Sequence, residues 1–255
     1  MKQMIIGAVL CGAALAWAAA ANAESYTFDN RQFLDGSTDA LVLGPTGIPT
    51  PPASYISSGM DLYLNPLGYE GTTDSTLALT LPNTFNFLKS VPEGQSILVN
   101  QILADYHAGD MGCDATGVCS DPLTIFTYSQ SSLVAALSEQ QLMDAGVPTD
   151  ALRFVMLGAN AASVPTNLYP TEIFNINGDV FVADVTKSWL DLLLGGTNWE
   201  QLLFGLGLHS AYLGLTADQI DSATTVVDGM TTINEIPTLS TDELFQALFN
   251  VWFGG

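Results

Sequence analysis

One short stretch, residues 123–134, constrains the fold of this 255-residue chain more than any other. An apolar, β-type run at residues 123–127 ends in a turn of small side chains around Ser129, and an apolar-periodic helix follows at once. Such a turn exposes the serine hydroxyl, and it needs small neighbours because the strand and helix backbones pass close together. Those neighbours are Thr127 and Ser131, where glycine is the usual residue. The stretch predicts a nucleophilic serine between a core strand and a helix.

The order of the ionisable residues after Ser129 agrees with this interpretation. In α/β-hydrolases the serine is followed along the chain by an acid and then by a histidine. The chain has two histidines, and only His209 follows the serine. Asp179 closes a strand-like run that begins at residue 172, and Asp184 is the competing acid. We prefer Asp179 because it lies directly at the predicted strand end.

Strand and helix patterns alternate in the first two thirds of the chain. Buried-strand patterns occur at residues 39–44, 77–81, 123–127 and 152–157. Helical stripes occur at residues 93–106 and from the serine turn to about residue 143. This alternation predicts an α/β-hydrolase fold, in which a mostly parallel sheet is flanked by helices on both faces.

After residue 184 the pattern is helical. Candidate helices lie at residues 186–194, 199–208, 217–223 and 241–253. The last two begin with capping boxes, formed by Thr216 with Gln219 and by Ser240 with Glu243. The apolar side chains between the proposed acid and His209 are typical both of a core and of an acyl-binding wall. We expect this region to form a cap or lid.

The first 23 residues predict a secretory signal peptide. Lys2 precedes an apolar run at residues 4–21, and Ala-Asn-Ala at residues 21–23 is a typical cleavage site. An uncleaved anchor is the alternative. Residues 24–255 are then expected to form one domain that is secreted or extracytoplasmic, with no permanent membrane span after cleavage.

Cleavage would leave Cys113 and Cys119, which lie in a polar, glycine-containing loop. In an oxidising compartment, a local disulfide is the simplest account of this pair. The aspartates and His107 at residues 105–114 form only a loose cluster without EF-hand spacing. We therefore expect no metal and no other cofactor.

The charge balance excludes one class of partner. The chain has a formal net charge of −21, which makes a nucleic-acid partner untenable and disfavours docking to anionic membranes. Its content of 48% hydrophobic and 12% charged residues is typical of a packed globule and not of a disordered chain.

Four ordered motifs between residues 39 and 215 resemble the PE-PPE domain, an α/β-hydrolase domain of mycobacterial and related secreted proteins. Residues 44–51 resemble its Gly-Gly-Ser/Thr-Gly-x-Pro-x-Pro opening, and residues 128–131 its Gly-Tyr-Ser-Gln-Ser/Gly elbow. Residues 177–184 are similar to its Tyr-Asp-x-x-Ala-Asp segment, and residues 209–212 to its His-x-x-Tyr segment. No PE or PPE helical module is recognised, so the domain is expected to stand alone behind the signal peptide.

The resemblance implies a serine esterase-like domain related to cutinases and lipases. Carried over, Ser129 is the nucleophile, Asp179 the acid and His209 the base. The backbone N–H groups of Gln130 and Thr46 are the expected oxyanion hole.

The chain departs from the family pattern at three positions. Pro45 replaces the second glycine, Thr127 the elbow glycine, and Gly178 the aromatic residue before the acid. Pro45 removes one N–H from the oxyanion loop, although Thr46 and Gly47 still offer N–H groups.

Three functions follow as hypotheses. The first is a secreted serine esterase that cleaves short- to medium-chain acyl esters through an acyl-enzyme, its partner being a small acyl-ester or lipid substrate. The second is an extracellular acyltransferase to a sugar or lipid alcohol. The third is a catalytically inactive hydrolase fold that acts as a binding or surface protein, which the departures at Pro45 and Thr127 motivate.

Overall fold

The computed structural model describes residues 32–182 and 199–253, and a seven-stranded sheet forms its centre. The strands are β1 (Ala40–Val42), β2 (Thr76–Ala78), β3 (Leu123–Tyr128), β4 (Leu152–Leu157), β5 (Thr171–Ile176), β6 (Thr224–Asp228) and β7 (Thr231–Ile236). Their order across the sheet is β2-β1-β3-β4-β5-β7-β6, and only the β6–β7 pair is antiparallel. The predicted mostly parallel α/β sheet is confirmed.

Six α-helices accompany the sheet in the described part of the chain. They are α1 (Ala53–Gly59), α2 (Phe87–Ala108), α3 (Gln130–Asp144), α4 (Trp199–His209), α5 (Ala217–Asp221) and α6 (Thr241–Phe253). The predicted signal peptide, the predicted helix at residues 186–194 and the competing acid Asp184 lie outside the described residues. Both predicted capping boxes form, at the starts of α5 and α6.

The two faces of the sheet are covered by different helices. Along β3, Ile125 packs on one face with apolar side chains of α2 and α3, whereas Phe126 packs on the other with those of α1, α4 and α6. Tyr63 joins this second layer, with ring centroids 6.1 Å from Phe126 and 5.1 Å from Phe174. Because helices cover both faces of the sheet, every residue of β1, β3 and β5 is buried, the polar ones included.

The C-terminal region corrects one prediction. It is not wholly helical, because β6 and β7 form a hairpin that extends the sheet beyond β5. The turn contains Gly229 at φ +61, and a Cβ there would lie 2.1 Å from the Thr166 carbonyl oxygen. Asp-Gly between two runs of β-branched residues is a hairpin signal that periodicity alone overlooked. Helix α6 also packs into the core through Leu244 and Ala247, so it does not form a separate cap.

Helix α2 begins earlier than its apolar stripe predicts. It starts at Phe87 and contains Pro92, and the Thr84 N–H donates to the Ser90 hydroxyl at 3.0 Å across its first turn. Its last turn includes His107. In residues 32–182 and 199–253, no helix is long and apolar enough to cross a bilayer.

The loop after α2 contains the predicted disulfide between Cys113 and Cys119. The Cys119 N–H also donates to Asp150 at 2.9 Å, which ties this loop to the segment before β4. No group of three or more histidine, cysteine or acidic side chains in the described ranges is arranged to hold a metal ion.

The sheet has a topological switch point at β1. From β1 the chain passes to β2 on one side and returns to β3 on the other. In open α/β sheets, ligands bind outside the carboxyl ends of the strands at such a point. The loop after β1, which contains Thr46, and the turn after β3, which contains Ser129, both lie there.

Glu139 is an acidic residue inside the core. It lies on α3 with no exposed surface, and neither carboxylate oxygen has a hydrogen-bond partner among the described residues. Burial raises the pKa of Glu139 to about 8, so its side chain is mostly protonated at neutral pH.

We predict that Glu139→Gln flattens the pH dependence of stability. The folded state keeps the proton up to about pH 8, whereas the unfolded chain loses it near the ordinary value of 4.5. The stability of the wild type therefore falls as pH rises through this window, by at most about 1.4 kcal/mol per pH unit, whereas glutamine contributes no such slope.

Urea unfolding at several pH values measures this effect, with Glu93→Gln on the exposed surface of α2 as the matched control. The stability gained by Glu139→Gln over the wild type should grow with pH, and parallel curves would contradict the prediction.

Candidate active site

The turn at Ser129 has an unusual backbone. Ser129 has φ 59° and ψ −117°, a positive φ that side-chain-bearing residues rarely adopt. Its N–H donates to the Leu157 carbonyl of β4 at 2.9 Å, which holds the strained residue against the sheet. Helix α3 begins at the next residue, so the serine stands at the end of β3 beside a helix N-terminus.

The two residues that replace the elbow glycines are part of the hydrogen bonding of the turn. The Ser131 hydroxyl oxygen accepts the Tyr128 N–H at 2.9 Å, and Thr127 Oγ1 lies 3.0 Å from Ser132 Oγ. Thr127 and Ser131 are both fully buried. Each departure from glycine thus adds a hydrogen bond between β3 and α3 and is accommodated by the tight turn.

Hydrogen bonds join three predicted site residues, Ser129, His209 and Asp179. His209 Nε2 lies 2.7 Å from Ser129 Oγ, and His209 Nδ1 lies 2.8 Å from Asp179 Oδ2. The Asp179 side chain has no exposed surface, whereas that of His209 is 12% exposed. A histidine held by the carboxylate at Nδ1 presents Nε2 to the serine as a proton acceptor.

The Asp179 carboxylate has two further donors. The Tyr212 hydroxyl donates to Oδ2 at 2.8 Å, and the Phe181 N–H donates to Oδ1 at 2.9 Å. Burial and the nearby carboxylate raise the pKa of Tyr212 well above its ordinary value, so its proton stays in this hydrogen bond. The same hydroxyl accepts the Ile176 N–H at 3.0 Å, which connects Asp179 to the end of β5.

The imidazole of His209 is enclosed by close neighbours. The Phe181 ring centroid lies 4.4 Å from that of His209, and the Tyr128 hydroxyl donates to the His209 carbonyl. Gly158, at the end of β4, has φ +57, and a Cβ there would lie 3.0 Å from His209 Cε1. Only glycine fits both this backbone and this contact.

The loop after β1 approaches the turn through the Gln130 side chain. The Thr46 hydroxyl donates to Gln130 Oε1 at 3.2 Å, and Gln130 Nε2 donates to the Thr84 carbonyl at 3.2 Å. As the first residue of α3, Gln130 has no intrahelical partner for its N–H. The Gly47 N–H, which we expected to be available, donates instead to the Asn83 carbonyl at 2.7 Å. Thr46 thus lies beside Gln130, whereas the N–H of Gly47 is already used in a hydrogen bond to Asn83.

Several contacts of the site were not predicted. Tyr212 was noted within a motif without a role, and Tyr128, Phe181 and Gly158 were not assigned to the site. The sequence offered one usable signal, a glycine directly after the β4 pattern, where a neighbouring group can approach the backbone closely. The competing acid Asp184 lies outside the described residues, so only Asp179 can be compared with the geometry.

The arrangement has the components of acyl-transfer chemistry. A hydroxyl within hydrogen-bond distance of an oriented imidazole can be activated as a nucleophile. The N-terminus of α3 is positively polarised and favours negative charge that develops next to the serine.

Comparison with known proteins gives three matches. A sequence profile described as PE-PPE domain matches residues 72–186, which include Ser129 and Asp179. Esterase PE16 of Mycobacterium tuberculosis (strain ATCC 25618 / H37Rv) is 30% identical over 221 residues, 73% of this chain and 39% of that protein. The Uncharacterized PPE family protein PPE28 of the same organism is 26% identical over 227 residues, 73% of this chain and 31% of that protein. The chain spans less than half the length of either relative.

We predict that Tyr212→Phe slows modification of Ser129 by a fluorophosphonate about tenfold, equivalent to about 1.4 kcal/mol and near the low end of the range typical of a hydrogen bond to a charged group. The variant keeps the aromatic ring and removes the donor to Asp179, so the carboxylate holds His209 less firmly. The labelling rate is the readout, and thermal unfolding checks that the fold is intact. An unchanged rate would show that the tyrosine does not act through Asp179.

Proposed function

Because this chain belongs to the PE-PPE domain family, we propose that it is a serine hydrolase that cleaves carboxylic esters. One observation carries the proposal, the continuous hydrogen bonding from Ser129 through His209 to a buried Asp179. The relative PE16 is named an esterase, which supports the same reaction class.

The proposed reaction begins at the serine hydroxyl. His209 Nε2 accepts the proton as Ser129 Oγ attacks the acyl carbon, and a tetrahedral oxyanion forms. Asp179 keeps the proton of His209 on Nδ1 and stabilises the imidazolium. The imidazolium then protonates the leaving alcohol, an acyl-enzyme remains, and water activated by His209 releases the acid.

The oxyanion is proposed to bind beside the start of α3. The Gln130 N–H is the first donor, and Thr46 contributes the second, held close by its bond to the Gln130 side chain. In related acyl-transfer reactions, loss of one such donor weakens the stabilisation of the transition state by roughly 3 kcal/mol. Pro45 therefore does not remove every N–H donor from the oxyanion loop, because Thr46 follows it directly.

The proposed substrates are short- to medium-chain acyl esters, and the proposed place of action is outside the cytoplasm. Two features support this location, the signal-like segment at residues 1–23 and the disulfide of Cys113 with Cys119, a bond typical of oxidising compartments.

We predict that a fluorophosphonate labels the folded wild type and does not label Ser129→Ala. Hydrolysis of p-nitrophenyl butyrate should fall by at least about 1,000-fold in the same variant, because the nucleophile is removed. The two histidines offer a matched pair, in which His209→Ala should lose activity and His107→Ala should keep it. A folded wild type that is neither labelled nor active, with detergent present or absent, would contradict the proposal and favour a binding protein.

A second comparison tests the identity of the acid. Asp179→Asn should lower kcat by roughly 100- to 10,000-fold with the fold retained, because the histidine loses the partner that fixes its tautomer. Asp184→Asn is the matched control and should keep near wild-type kcat. The reverse result would assign the acid to Asp184.

A further inference from the structure

Five large apolar side chains are exposed next to the candidate active site. They belong to the end of the loop before α2, to the first turn of α2 and to the outer face of α3, and we call them the apolar rim: Phe85, Phe87, Leu88, Leu133 and Leu137. Phe85 is 83% exposed and Leu88 is 94% exposed. Isolated exposed apolar residues are ordinary, but several of them on neighbouring elements beside a site indicate an interaction surface.

Backbone contacts fix the position of the rim relative to Ser129. Phe85 follows Thr84, whose carbonyl accepts the Gln130 side chain. Leu133 lies in the first turn of α3, and its N–H donates to the Ser129 carbonyl at 3.3 Å. Phe85 and Leu133 therefore place one end of the rim beside the serine turn.

The segment that carries Phe85 and Leu88 is held firmly in place. Asn83 has φ +42, and its side-chain amide donates to the carbonyls of Gly44 at 2.7 Å and Ile48 at 3.2 Å. The Thr84 N–H is bonded to the Ser90 hydroxyl. A strained but well-bonded turn thus presents these apolar side chains to solvent.

One of the five basic residues of the chain lies at the rim. The chain has five lysines and arginines, and the described ranges contain only Lys89 and Arg153. Arg153 is paired with Asp150 at 2.9 Å, whereas Lys89 is exposed directly after Leu88. A lysine next to apolar side chains can lay its stem on an apolar phase and keep its amine in water.

We propose that the apolar rim docks onto a lipid surface and brings its acyl esters to Ser129; the ester part rests on the function proposed above. Exposed phenylalanine and leucine with an adjacent lysine match the chemistry of a membrane interface. A second copy of this chain is a poor occupant, because two bodies of net charge −21 repel each other. The same charge opposes anionic lipids, so the expected surface is zwitterionic.

The test measures binding without catalysis. Ser129→Ala protein is mixed with phosphatidylcholine vesicles, and the vesicle-bound fraction is measured by flotation. Adding Phe85→Ser and Leu88→Ser should weaken binding at least tenfold, with little effect on the fold because both side chains are more than four-fifths exposed. Val118→Ser and Phe245→Ser, which remove exposed apolar residues elsewhere, should leave binding unchanged.

Three results would overturn the proposal: no binding to the vesicles, equal binding by the rim variant, or loss of binding in Phe245→Ser, which would assign the surface to α6. A dimer in size-exclusion chromatography that the rim substitutions dissociate would make the occupant a second copy. None of these outcomes depends on Ser129 chemistry, so failure here and failure of fluorophosphonate labelling are separate results.

Discussion

The positive φ of Ser129 is the constraint on which the rest of the site depends. It lets β3 turn into α3 within a single residue, so the hydroxyl and the helix N-terminus meet at the carboxyl edge of the sheet. The strain is offset by the bond from Ser129 N–H to β4 and by the hydroxyls of Thr127 and Ser131. Because these groups are buried between β3, β4 and α3, the core fixes the geometry of the candidate nucleophile.

The remaining site groups reach this point from separate strand ends. Thr46 follows β1, Gly158 follows β4 and Asp179 follows β5, while His209 ends α4. Parallel strands place these ends at one edge of the sheet, which explains how residues up to 163 positions apart in sequence can meet. Tyr212 then connects Asp179 to β5, so the carboxylate that holds the imidazole is itself held by the sheet.

The surface combines two opposing properties. The large negative charge favours solubility and repels polyanions, whereas exposed apolar side chains favour contact with an apolar phase. The rim borders the candidate nucleophile, and the same loop contacts support both. Asn83 holds the segment of Phe85 and Leu88 and also accepts the Gly47 N–H next to Thr46. Asn83 therefore connects the apolar rim to the loop that follows β1.

The sequence by itself determined the fold class, the serine turn, the order of Ser129, Asp179 and His209, and the cysteine pair, because these depend on local periodicity, turn chemistry and spacing. Periodicity failed at β6 and β7, since a hairpin added to a sheet edge is stabilised by pairing with β5 across more than 50 residues. Only the tertiary structure decided three contacts. The Gly47 N–H is hydrogen-bonded to Asn83, Gly158 leaves room for the His209 imidazole, and the Tyr212 hydroxyl donates to Asp179. Each of these depends on distances between residues remote in sequence, which no local pattern encodes.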